Sequence, residues 1–481
     1  MAKSTALVEL PEELWLRIFG YLSGTEITII RRVCRKWHFL SYDNSLKVAI
    51  ELRISEKKIT ESNFSKLLSS TDFLSCTDLI IYEQEMLTDE MLDQIVHTNS
   101  NIRFLSLMFC HKITDKGFKC IADLKQLKGL HISCMHFSDE SIVYLSERVQ
   151  GLDYLSVDAK YCLTNNSLKA IEHFPNLTYL DFMFIRRSSV PGRILPRSYD
   201  LRNLKNLETF VFRTDFPLRK SIISSLRFSN LNTLKFSNLP GKSDDALSVV
   251  LKNTQSLKNL DLDECRVSGK FIYTPHNLKE LHLNYCKRLN ADFYDFFKKK
   301  VEFDYFLITI TPECDVNTSF SFVKELQVMF STTIFDFSNY LPRYSFLNSN
   351  RLVTLSLISS KNKDIVIDQS CLETVFSTCQ SLKELLVLGI NFSNTSSLSL
   401  QENLSIRIFT VHSLKNVDET AVEKMAVALP NLLSVTYYGE PNFIQTFKKH
   451  CNYLLKGVGY VSKQKPPAPV PPSRSWNCNI A

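Results

Sequence analysis

The chain has 481 residues, of which 44% are hydrophobic and 22% charged, with 57 lysines and arginines against 50 aspartates and glutamates, a net charge of +7. So mild a charge, with no run of five like charges, speaks against a nucleic-acid partner. Only 12 glycines, well below the usual roughly 7%, speak against a glycine-rich phosphate loop. Thirteen cysteines without a C-x-x-C pair, and no histidines at zinc spacing, read as buried free thiols, with no metal site and no cofactor. That usage fits a reducing compartment.

Residues 10–22 read LPEELWLRIFGYL. Pro11 suits the first turn of a helix, where its missing N–H is no loss, and Glu12 and Glu13 suit the positive end of the helix dipole. Leu14, Ile18, Phe19 and Leu22 fall on one stripe. Met1 to Glu13 shows no apolar leader, and no apolar run reaches the ~18 residues of a membrane helix. A second helical segment over 26–40 carries Ile27, Ile30, Val33, Cys34, Trp37 and Leu40, interleaved with Arg31, Arg32, Arg35 and Lys36. Some forty residues make a marginal core alone, so this unit gains from packing on a partner or on the chain that follows.

Beyond it the sequence repeats itself. IRFLSLMFCHKITD (102–115), LKGLHISCMHFSD (127–139) and LDYLSVDAKYCLTN (152–165) share an L-x-x-L-x-L opening, a cysteine or apolar position and a Ser/Thr-Asp/Asn pair. The first apolar position recurs at Cys76, Ile102, Leu127, Leu152, Leu177, Leu207, Leu231, Leu257 and Leu278, and again at Val323, Leu352, Leu382, Ile406 and Leu432. Leu52 and Ile54 mark a degenerate first copy. In L-x-L the leucines point to one face of a short strand and the residue between them to the other. Thr88, Thr114, Ser138, Thr164 and Ser243 stand where a helix N-cap is wanted, and helices follow over Asp115–Leu124 and Glu140–Val149. A period of about 20–29 residues is that of leucine-rich repeats, and the copies resemble the cysteine-containing class. The fold class is therefore α/β: a short all-helical unit, then a horseshoe solenoid with parallel strands on its concave face and helices on its convex face.

The strand positions between and after the leucines, among them Ser106, Met108, His131, Ser133, Ser156, Asp158, Asp181 and Val211, are expected to be exposed on the concave face. Asp261 and Asp263 make an acidic step there, and Met183, Phe184 and Tyr285 are adaptable or aromatic anchors of a kind enriched at interfaces. The long interval between Leu177 and Leu207 holds Arg186, Arg187 and Arg193 in a basic loop. Arginine forks suit an acidic or phosphorylated substrate segment; the alternative, which loops favour because they tolerate insertion freely, is a solvated insertion. Residues 290–350 are irregular, with Phe303-x-x-Phe306-x-Ile308 a strand of open register. The tail is proline-rich, a stiff spacer or a ligand for a proline-reading domain, and ends Cys478-Asn479-Ile480-Ala481, a C-a-a-X prenylation pattern despite the non-aliphatic Asn479.

The opening stretch, Leu-Pro followed by Ile-Phe and Leu and then Val33-Cys-Arg-Lys-Trp37, resembles an F-box. Lys47 departs from the tryptophan often found there. With the repeats, the chain resembles the F-box/leucine-rich-repeat family, with an F-box over 8–48, about 13–15 repeats over 49–457 and a tail over 458–481. The resemblance implies a non-catalytic subunit of an SCF-type ubiquitin ligase. Leu10, Pro11, Leu14, Ile18, Phe19, Val33, Cys34 and Trp37 would meet a Skp-family adaptor, and through it cullin and RING subunits, while the repeats bind a protein substrate. The alternative is an adaptor-binding scaffold without a degradation role. The chain is expected in the cytoplasm or nucleus, at a membrane only if Cys478 is prenylated.

Overall fold

The computed structural model describes residues 10–22, 24–30, 32–41, 43, 46, 49–53, 60–133, 137–159, 165–184, 201–214, 220–274, 276–286, 288–290, 293, 303–310, 323–330, 351–359, 367–391, 395–415, 417–438 and 459–460. They fall into two compact units, Met1–Leu278 and Lys279–Ala481.

The first unit begins with three short helices: α1 (Glu12–Phe19), α2 (Gly24–Ile30) and α3 (Arg35–Leu40). Pro11 is the N-cap of α1 rather than its first helical residue, and Glu12 and Glu13 fill the first turn. Phe19, Ile27, Leu40 and Leu46 form a buried core, with Trp15, Leu16, Leu22, Ile30 and Trp37 packed on it. The Trp15 and Trp37 rings lie 4.8 Å apart, and Phe19 meets Trp37 edge-on at 5.5 Å. Three clustered aromatic rings add large contact area to so small a core.

The repeats follow with strands β1 (Ala49–Arg53), β2 (Asp78–Tyr82), β3 (Phe104–Met108), β4 (Gly129–Ser133), β5 (Tyr154–Ala159), β6 (Tyr179–Phe184), β7 (Thr209–Thr214), β8 (Thr233–Ser237) and β9 (Asn259–Asp263). Each pairs in parallel with the next. The first leucine of each L-x-L lies in one row, from Leu79 through Leu105, Leu130, Leu155, Leu180, Phe210 and Leu234 to Leu260. All eight are buried, each worth about 1.5–3 kcal/mol of transfer free energy.

Between strands the chain returns through helices such as α6 (Asp89–Thr98), α7 (Asp115–Cys120), α8 (Asp139–Arg148) and α11 (Asp244–Asn253), with α4 (Glu61–Leu68), α5 (Thr71–Leu74), α9 (Asn165–Ile171) and α10 (Lys220–Ser225) the other α-helices described between strands of this unit. The helix expected over Asp115–Leu124 ends at Cys120 and continues as a 3₁₀ turn over Ile121–Asp123. Thr88 and Thr114 cap their helices through the side chain. Ser138 and Ser243 occupy N-cap positions without a side-chain cap bond.

Two features recur at the strand ends. Glu83, Phe109, Asn238 and Glu264 follow their strands with left-handed backbone, φ 51–57°, and the first three donate their N–H groups to Met108 O, Ser133 O and Asp263 O at 2.9–3.0 Å. One residue further on, Cys110 and Cys265 are buried free thiols whose Sγ atoms reach Met108 O and Asp263 O. Burial pushes the Cys110 thiol up to about 11, so it is neutral and unreactive. Cys134 and Cys162 lie outside the described residues.

The second unit continues the pattern with strands over Glu280–Asn284, Phe303–Ile310, Val323–Phe330, Thr354–Ser359, Glu384–Asn391, Ile408–Lys415 and Ser434–Tyr438. Its core row runs Leu281, Phe306, Leu326, Leu355, Leu385, Phe409 and Val435. The register left open at Phe303-x-x-Phe306-x-Ile308 is thus regular, with all three side chains buried.

Candidate functional site

The helical domain separates its large apolar side chains into two sets. Phe19 is 1% exposed and packs among Trp15 and Trp37, so it belongs to the core, which corrects its expected place on a docking face. Leu14 and Ile18, one turn apart on α1, are 44% and 43% exposed, and Val33 is 59% exposed. Pro11 and Cys34 are exposed, Leu10 and Trp37 half-buried. The Cys34 side chain caps α3 by accepting the Trp37 N–H at 3.4 Å. Tyr21, Ile29 and Phe39 are also exposed, at 81%, 64% and 76%. The sequence reading passed over them, although Tyr21 follows Ile18 at helical spacing. Several bare apolar side chains on one small domain mark an interaction surface more than a solvated one.

The sheet face opposite the core differs from expectation. Ser106, Met108, His131, Ser133, Ser156, Asp158, Asp181 and Val211 are all buried, where exposure was expected. The polar members pair across adjacent strands. Ser106 Oγ meets His131 Nδ1 at 3.1 Å, Ser133 Oγ donates to Asp158 Oδ2 at 3.0 Å, and Ser156 Oγ donates to Asp181 Oδ2 at 3.5 Å. Arg213 closes the series with a bidentate pair to Asp181 at 3.0 and 2.8 Å. Burial pushes His131 down to about 4, helped by the Arg213 charge. Parallel strands bring equivalent positions about 4.8 Å apart, close enough for short polar side chains to pair and for water to be shut out.

Accessible polar groups lie further along. Lys235 Nζ pairs with Asp261 Oδ2 at 3.2 Å. Beside them Asp263 is exposed, and desolvation together with the Asp261 and Glu264 carboxylates pushes it up to about 6. Met183 is half-buried at the end of β6. At the strand starts Phe104, Tyr154 and Tyr179 form an aromatic row, with centroids 5.7 and 4.4 Å apart.

In the second unit Tyr285 is half-buried, and Tyr305 stacks edge-on to His282 at 5.0 Å while its hydroxyl donates to Gln327 Oε1 at 2.7 Å. The side chain of Phe184, the basic residues Arg186, Arg187 and Arg193, and Cys478 lie outside the described residues.

One set of residues was noticed in the sequence and given too small a role. The aspartates that open α6, α7, α8 and α11 accept hydrogen bonds from the turn or helix start of the next repeat. Asp89 accepts from Thr114 N and Oγ1 at 2.8 and 2.7 Å, Asp115 from Ser138 N at 2.7 Å and from Ser141 Oγ, and Asp139 from Ser167 Oγ. Asp244 accepts from Gly269 N at 2.8 Å and Ser268 N at 3.0 Å. The Ser/Thr-Asp pairs of the sequence were their signal. Among the described residues no group of histidine, cysteine and acidic side chains is arranged to hold a metal, and no helix is long and apolar enough to cross a membrane.

Residues 7–51 match the F-box-like family model, so the exposed apolar face belongs to an F-box-like domain joined to a leucine-rich-repeat-type array. The chain is 30% identical over 186 residues to the F-box protein SKIP19 of Arabidopsis thaliana, covering 36% of this chain and 54% of that protein. It thus spans about half the length of that curated relative. Similar solved structures include the Rad7 and Elc1 complex in yeast, at 13% identity and a TM-score of 0.37 over 89% of this chain and 88% of that one. An internalin of Listeria monocytogenes has 12% identity and a TM-score of 0.33 over 82% and 94%.

Proposed function

We propose that the chain is the substrate-recognition subunit of an SCF-type ubiquitin ligase. The observation that carries this reading is the exposure of Leu14, Ile18 and Val33 on a domain that matches the F-box-like family model. A Skp-family adaptor would cover these side chains together with Leu10, Pro11, Cys34 and Trp37, and would connect the chain to cullin and RING subunits. The repeats would hold a protein substrate, raising the effective concentration of its lysines beside a charged ubiquitin-conjugating enzyme. Such a subunit needs no catalytic group and no cofactor. The reading places the chain in the cytoplasm or nucleus, where thiols such as Cys110 stay reduced.

The test is co-purification of adaptor and cullin from cells with the wild type and with a Leu10→Ala, Pro11→Ala, Ile18→Ala variant. Both partners should accompany the wild type and be lost from the variant. A wild type that brings down neither would overturn the reading.

A further inference from the structure

The sheet face opposite the core has a different chemistry in the second unit. In the first unit, polar side chains pair across that face and close it. In the second, the adjacent strands Val323–Phe330, Thr354–Ser359 and Glu384–Asn391 carry apolar side chains on both sides. Leu326, Val328, Leu355, Leu357, Leu385 and Val387 fill the core. Alternation puts Met329, Ile358 and Leu388 on the other side, where they are half-buried. Register draws them into one row, Met329 against Ile358 and Ile358 against Leu388. Parallel strands that are apolar on both faces are those that are covered on both faces. Four residues before the row, the same face bears Glu325 and Glu384, with Thr354 in register between them. Among the described residues, these glutamates are the charged side chains on this face of the three strands. Lys324 and Lys383 each precede one of them, and alternation sends those lysines to the opposite side.

We infer that this face docks an amphipathic helix of the protein substrate, with lysines or arginines along one flank of that helix. The inference rests on the substrate-recognition reading above and adds the chemistry of what is recognised. Helical turns are about 5.4 Å apart and neighbouring strands about 4.8 Å. A helix lying across the strands therefore sets apolar side chains at i, i+4 and i+7 against Met329, Ile358 and Leu388 in turn. The glutamate row lies about 13 Å from the apolar row, at roughly 3.3 Å for each residue of strand. A helix is about 10–12 Å across with its side chains, so cations on its flank reach Glu325 and Glu384. Those two glutamates stand two strand spacings apart, close to the length of two helical turns, so both can be met from one flank. Nucleic acid and anionic lipid are repelled by the same carboxylates.

The experiment measures fluorescence polarisation of a labelled synthetic peptide on the purified full chain. The peptide has about 18 residues, five helical turns, with leucines at i, i+4, i+7 and i+11 and lysines along one flank. It is compared with the same peptide carrying glutamate for each lysine, and with a scrambled peptide of the same composition. The wild-type chain is compared with a Glu325→Lys, Glu384→Lys variant and with Ile358→Ser. Neither glutamate is buried, so thermal melts of the charge variant and the wild type should coincide. The wild type should prefer the lysine peptide to the glutamate peptide on the order of tenfold at about 0.05 M salt, with a narrower gap at about 0.5 M. The charge variant should reverse that preference, and Ile358→Ser should weaken the lysine peptide at both salts. A preference unchanged in the charge variant, a scrambled peptide that binds as tightly as the patterned one, or a wild type that binds no peptide would each overturn the inference. Adaptor and cullin should still co-purify with the charge variant, whose F-box-like domain is untouched. Failure of the peptide with adaptor retained would therefore overturn this inference alone. A wild type that brings down no adaptor would overturn the functional reading, and with it the assignment of the helix to a substrate.

Discussion

Phe104 on β3 and Tyr154 on β5 meet ring to ring at 5.7 Å across the strand that separates them. They can do so because that strand offers Gly129 at the intervening position. A Cβ there would overlap the Phe104 ring. Glycine weakens a strand interior, and here the two rings closing over it offset that loss. Gly129→Ala should therefore destabilise by about 1–3 kcal/mol through overpacking, read as a lower urea midpoint. The Phe104→Ala, Gly129→Ala double variant should lose less than the sum of the singles, since removal of the ring makes room for the methyl group. Strict additivity would show that the strand tolerates the methyl group without the ring moving.

His131 makes the fold sensitive to acid. Its pKa lies at about 4 in the folded chain against about 6.5 when exposed. An unfolded chain therefore binds the proton first, so stability is whole above pH 6.5 and is lost as pH falls towards 4. A shift of that size corresponds to at most about 3 kcal/mol. Urea unfolding between pH 7.5 and 4.5 should show the loss, and His131→Gln should flatten the slope across that range. An unchanged slope in the variant would assign the acid sensitivity elsewhere.

The aspartates that open the helices should matter more than exposed caps do. Asp244 is 7% exposed and satisfies two backbone N–H groups of the following turn. Asp244→Ala leaves both donors without their acceptor, at a cost of about 1–3 kcal/mol each if they stay dry. Asp244→Asn keeps one acceptor oxygen and should fall between alanine and the wild type. Hydrogen exchange at Ser268 and Gly269 is the local readout, and it should quicken in the alanine variant before global stability is lost.

Core and docking face separate cleanly in the helical domain. Phe19→Ala should cost about 3–5 kcal/mol and unfold this marginal unit, abolishing any adaptor binding indirectly. Leu14→Ala and Ile18→Ala should leave stability within about 0.5 kcal/mol while weakening capture of the adaptor. Thermal melts run beside binding assays distinguish the two, and a Leu14→Ala chain that melts early would place Leu14 in the core after all.

Much of this was legible in the sequence because hydrophobic spacing is a direct readout of strand and helix period. The row from Leu79 to Leu260 is the L-x-L pattern itself, and Cys110, Cys265 and Cys286 are the buried thiols that the pattern led one to expect. Alternation was a poorer guide to exposure. It places Ser106, His131 and Asp158 on the face away from the leucines, which is where they are, but it cannot say that hydrogen bonds across a strand spacing bury them there. The same limit applies to Phe19, which shares a stripe with Leu14 and Ile18 yet points at Trp37. One residue's rotation decides whether a side chain on a stripe meets the core or the solvent, and no spacing rule resolves an angle so small. The aspartates were visible as a recurring letter. Their role needs the neighbouring repeat in place, which is tertiary information.

In the first unit the bonds to Asp89, Asp115, Asp139 and Asp244 all run one way, from donors in the later repeat to a carboxylate on the earlier helix. A ribosome delivers the chain in that same order, amino terminus first. Each new turn therefore leaves the ribosome after the carboxylate that receives it, and the array can be laid down course upon course, like masonry, without waiting for its far end.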